Sequence, residues 1–68
     1  MTTYIVKKFG SQLDFLWEAV NGESDLRTNQ KLYKKICKYY KEQGITFTGD
    51  AHFDYDTVLD CLYEDINL

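Results

Sequence analysis

The sequence predicts a small α+β domain with the element order β-α-α-β-β-α. Three observations predict it. Residues 2–9 (TTYIVKKF) are dense in β-branched and aromatic side chains. Three later segments repeat apolar residues at helical spacing. Residues 45–54 alternate apolar and polar around a Gly-Asp pair. Sixty-eight residues fill one domain, 1–68. A chain this short buries only about 60% of its unfolded surface.

Residues 2–9 read as a short strand that stops at Gly10. Ser11 then opens a helix, with Asp14 three residues on in the manner of a capping box. Leu13, Leu16, Trp17 and Val20 share one face, and Asn21-Gly22 ends the helix. A polar connection follows, in which Ser24, Asp25, Thr28 and Asn29 are all competent N-caps. The second helix runs to about Gln43, with Gly44 just past its end. Leu32, Tyr33, Ile36, Cys37, Tyr39 and Tyr40 cover half of its wheel. The other half carries Lys31, Lys34, Lys35, Lys38 and Lys41.

Residues 45–54 (ITFT-GD-AHFD) read as a hairpin with Gly at the first central turn position. Asp54 or Asp56 then caps a third helix ending near Asn67. Val58, Leu59, Leu62 and Ile66 form its buried stripe. Trp17, Phe15, Phe9, Tyr4, Phe47 and Phe53 are expected in the core. Tyr55 and Tyr63 are the tyrosines expected at the surface, beside the acidic residues of the third helix.

Charge is segregated along the chain. Every charge from Arg27 to Lys41 is positive, and every charge from Asp50 to Asp65 is negative, within a net charge of -3. Asp56, Asp60 and Glu64 recur every fourth residue on one side of the third helix. Like charges at that spacing cost a few tenths of a kcal/mol per pair. Glu64 and Asp65 also sit at the helix end that the macrodipole makes negative. A stripe that mildly opposes folding points to a partner, against the plainer reading of a solvated face. The expected docking face is Asp50, Asp54, Tyr55, Asp56, Asp60, Tyr63, Glu64 and Asp65. Its expected partner is a larger protein with a basic surface. Carboxylates one helical turn apart imitate a row of phosphates. Small acidic inhibitors from phages and mobile elements work in this way, and the chain is similar to them in size and charge.

The lysine face gives a second reading. Lys31, Lys34, Lys35, Lys38 and Lys41 suit the phosphates of a nucleic acid, with nearby tyrosines available to stack bases. Two helices followed by a hairpin loosely resemble a winged helix. The long helix connection, the acidic hairpin and the lysine-only face depart from that pattern. A third reading joins the two faces between copies, as a salt-sensitive homodimer or chain.

No enzyme, metal or cofactor is expected. Cys37 and Cys61 lie on or beside apolar faces, where thiols are usually packing. Asp50, Asp54, Asp56 and Asp60 do not follow the EF-hand spacing, and His52 has no nearby ligand pattern. Two cysteines make no disulfide framework. No apolar run approaches a membrane span, and no apolar leader follows Met1. A cytoplasmic protein is expected, in the host cytoplasm if the source is viral.

Overall fold

A computed structural model describes residues 4–67. Its architecture is all helical: α1 (Tyr4–Lys8), α2 (Leu13–Val20), α3 (Gln30–Glu42) and α4 (Ala51–Asn67). Short 3-10 turns at Gly10–Gln12 and Leu26–Thr28 lead into α2 and α3. The described residues contain no strand, which overturns the expected α+β class.

The expected N-terminal strand is helix from Tyr4 onward, and its residues 2 and 3 lie outside the described part. The reason lies in the positions of two lysines. A strand would place Lys7 on the same face as Ile5 and Phe9. A helix puts Ile5 and Phe9 one turn apart on one side and leaves both Lys7 and Lys8 outside. Ile5 and Phe9 are buried against the core, and the Phe9 N–H donates to the Ile5 carbonyl at 2.9 Å. Burial of these two side chains outweighs the strand preference of the local composition.

The expected hairpin is also absent. Ile45 and Phe47 are half-buried and Thr46 and Thr48 exposed, so the alternation is real, but no second strand pairs with it. Asp50 starts α4 in place of the expected Asp54 or Asp56. Its carboxylate accepts from the N–H groups of His52 and Phe53, each at 3.0 Å. Asp54 sits one turn inside the helix and reaches back. It accepts from the N–H and hydroxyl of Thr48, at 2.8 and 2.9 Å, and from the Gly49 N–H at 2.9 Å. Changing Asp50 to alanine is expected to cost about 1 kcal/mol. That is a fall of about 4–8 °C in Tm by circular dichroism.

Three other helix ends follow known devices. The Asn29 side chain accepts from the Leu32 N–H at 3.2 Å and caps α3. Helices α2 and α3 both end in Schellman motifs, with Gly22 at φ +82° and Gly44 at φ +97°. The Glu23 N–H reaches the Glu18 carbonyl at 2.8 Å, and the Ile45 N–H reaches the Tyr40 carbonyl at 3.0 Å. Ser11 does not form the expected capping box. It lies within the 3-10 turn, and no side chain caps α2.

Helix α4 is about 25 Å long at 1.5 Å per residue, close to the 26 Å middle dimension of the molecule. It packs against α1, α2 and α3. The core is one cluster, centred on Ile5, Leu16, Leu26, Ile36, Val58 and Leu62. Long-range side-chain hydrogen bonds also tie α4 to the rest of the fold. The Leu26 N–H donates to the Tyr55 hydroxyl at 2.8 Å, and the Tyr40 hydroxyl donates to Asp65 at 2.6 Å.

Candidate functional site

The eight residues of the expected acidic face separate into two groups. Four serve the fold. Asp50 caps α4 and Asp54 holds the loop before it. Asp65 accepts from Tyr40, which accounts for a carboxylate at the unfavourable end of α4. Tyr55, expected at the surface, is only 8% exposed. Its ring lies under the Arg27 guanidinium at 4.2 Å and meets Tyr33 edge-on at 5.7 Å.

The other four stand free on one face. At 100° per residue, Tyr63, Asp56, Asp60 and Glu64 fall within about 100° of the α4 wheel, and all four are exposed. Asp56, Asp60 and Glu64 make no ion pair among the described residues.

The face also holds aromatic surface that sequence reasoning placed in the core. Phe53, on the same side of α4, is 59% exposed. Trp17 projects from α2 at 38% exposure and stacks on Tyr63, itself 52% exposed, with ring centroids 6.3 Å apart. The sequence signal for Trp17 was available. It lies at the margin of the α2 apolar face, whereas the fully buried α2 positions are Leu16 and Ala19.

The lysine face of α3 is exposed throughout, as its wheel implies. The fold adds a neighbour to it. Helix α1 lies beside α3, and the two enclose a shallow groove of about 230 Å³. Lys8, Lys35 and Lys38 line it, with Phe9 also in the wall. Tyr4 and Tyr39 stack at its edge, with centroids 4.4 Å apart and planes 11° from parallel. Tyr4, expected in the core, is 47% exposed. Reading residues 2–9 as a strand hid this groove.

Two carboxyls are held below their ordinary range. The Arg27 side chain, and then its backbone N–H, hold Asp25 down at about 2. The ion pair between Arg27 and Asp25 spans 2.8 Å. The Thr48 N–H, with the Thr48 hydroxyl and the Gly49 N–H, holds Asp54 down. Groups depressed in the folded state add stability above their unfolded pKa. That stability is lost as pH falls through the folded value. Tm is therefore expected to hold from neutral pH to about 5 and to fall as pH drops from about 4 toward 2. Thermal melts across that range check it, and Asp25→Asn flattens the decline.

The thiols offer little nucleophilic character. Cys37 and Cys61 are free and half-buried, and burial pushes both thiols up. His52 is exposed in the first turn of α4, not in a strand. Among the described residues, no group of three His, Cys, Asp or Glu side chains is placed to hold a metal ion. No helix among them is long and apolar enough to cross a membrane. No family model, curated protein or solved structure matches the chain.

Proposed function

We propose that the chain is a non-enzymatic binding module that docks the acidic, aromatic face of α4 on a basic surface of a larger protein. The observation that carries this reading is the Trp17–Tyr63 stack, exposed among Asp56, Asp60 and Glu64. Acidic residues alone are adequately explained as a solvated face. Large aromatics standing in water are not, since Trp and Tyr are the residues that most often anchor protein interfaces. Carboxylates around them complement a basic partner and steer its approach. A partner's arginine over such a ring gains a cation–π contact, as Arg27 does over Tyr55 within this molecule.

A host inhibitor or adaptor in the style of phage and mobile-element proteins fits this design, with a nucleic-acid-binding protein as the natural owner of the basic surface. The test is affinity capture from the native host at physiological salt, with wild type beside a variant carrying Asp56→Lys, Asp60→Lys and Glu64→Lys. Capture is expected to fall at least about tenfold, equivalent to about 1.4 kcal/mol. An unchanged partner at unchanged yield refutes the reading. Trp17→Ala separates the aromatic anchor from the charge, because its loss should persist at high salt, where surface charges are screened.

A further inference from the structure

The geometry points to a second binding surface: the groove between α1 and α3 takes a single strand of nucleic acid. It is independent of the acidic face and uses other residues. Lys8 comes from the last turn of α1, and Lys35 and Lys38 come from α3. A neighbouring depression, which includes Lys31 and Gln12, shares Phe9 and Lys35 with the first. The two depressions lie side by side along α3, with Phe9 and Lys35 in the wall of both, and together they make the proposed channel.

Seven residues separate Lys31 from Lys38, about 10 Å of helix at 1.5 Å per residue. That length matches about three phosphates at 3.4 Å per step of one strand. None of these lysines makes an ion pair among the described residues. Glu42 is the acidic side chain in the channel wall, and it stands at the far end from Lys31.

The aromatic edge decides between ligands. The exposed Tyr4 ring, backed by Tyr39 in parallel, is a flat platform next to the cations. A nucleic-acid strand offers a flat base beside each phosphate, and bases stack on such rings regardless of sequence. An acidic peptide supplies the charge without the ring. Duplex DNA keeps its bases stacked inside and would meet the outer lysines as readily as the channel. Lys34 and Lys41 are those outer lysines: they belong to the same helix but line neither depression. They make an internal control.

The experiment is fluorescence anisotropy with a labelled oligothymidine of about a dozen nucleotides, titrated from low salt upward. Four lysines at about -0.7 each give a slope near -3 in log affinity against log salt. Lys35→Glu with Lys38→Glu is expected to lower affinity at least tenfold and to flatten that slope. Lys34→Glu with Lys41→Glu carries the same charge change and is expected to lower affinity less than about threefold. Tyr4→Leu should lower it several-fold without changing the slope. All substituted side chains are exposed, and circular dichroism verifies the fold. Three results each overturn the inference: no binding by wild type at low salt, equal losses in the two lysine pairs, or equal affinity for a duplex or for polyglutamate.

Discussion

Replacing Leu62 with alanine is expected to remove a large share of the protein's stability. Leu62 is fully buried in the middle of α4, the helix that packs against the other three. Truncating a buried leucine costs about 2–5 kcal/mol, from lost transfer energy and the cavity left behind. Domains carry roughly 0.05–0.15 kcal/mol per residue, which for this length is about 3–10 kcal/mol in all. The variant should therefore melt about 8–40 °C lower, and at the low end of that stability range it should be largely unfolded at 37 °C. Urea unfolding followed by tryptophan fluorescence reads the same loss, since Trp17 reports on the α2–α4 junction. Lys34→Ala, on the exposed side of α3, is the control and should stay within about 0.5 kcal/mol of wild type. A Leu62→Ala shift no larger than that of the control would mean that α4 is not the centre of the fold.

The parts of this fold that were legible in the sequence are those where several signals agree. Helix α3 has a C′ glycine at Gly44, an apolar half and a lysine half, and it ends where these place it; its start was open among four competent caps, of which the fold uses Asn29. The buried stripe of α4 is legible for the same reason: Val58 and Leu62 are fully buried. The errors fall where one short pattern has two physical solutions. Gly49-Asp50 suits a hairpin turn, and it equally suits a loop residue followed by an N-cap. Only the reach of Asp54 back to Thr48 and Gly49 selects the second. Residues 4–8 satisfy strand propensity, yet burying Ile5 with Phe9 while freeing Lys7 requires a helix.

The candidate sites inherit both outcomes. Asp56, Asp60, Tyr63 and Glu64 follow from helical periodicity alone, so their shared face was readable. The removal of Asp50, Asp54, Tyr55 and Asp65 from it was not. Tyr55 and Asp65 are claimed by hydrogen bonds to distant parts of the fold, and Asp50 and Asp54 by local bonds that follow only once α4 is known to start at Ala51. The α1–α3 groove depends on two segments meeting across the molecule, and no local pattern encodes that.

Tyr55→Phe removes one such tertiary bond, together with a weaker interaction of the same hydroxyl with Asp25. The Tyr55 hydroxyl accepts the Leu26 N–H at 2.8 Å, and Leu26 is fully buried. An orphaned buried N–H costs about 1–3 kcal/mol, whereas the net worth of an ordinary hydrogen bond is nearer 1. Phenylalanine keeps the ring, so the Arg27 contact and the edge contact with Tyr33 survive, and the change reads the hydroxyl alone. The variant is expected to melt about 4–24 °C lower, and the Leu26 amide should exchange with solvent faster. Tyr63→Phe removes a hydroxyl from an exposed ring and should leave Tm within a few degrees. If the two variants melt alike, the Leu26 N–H has found another acceptor and the turn at Leu26–Thr28 is not pinned by α4. Asp56, Asp60 and Glu64 lie away from this bond on the outer side of the same helix. Well below its Tm, Tyr55→Phe should therefore keep the proposed partner binding that the triple lysine variant is expected to lose, which separates a stability defect from a docking defect.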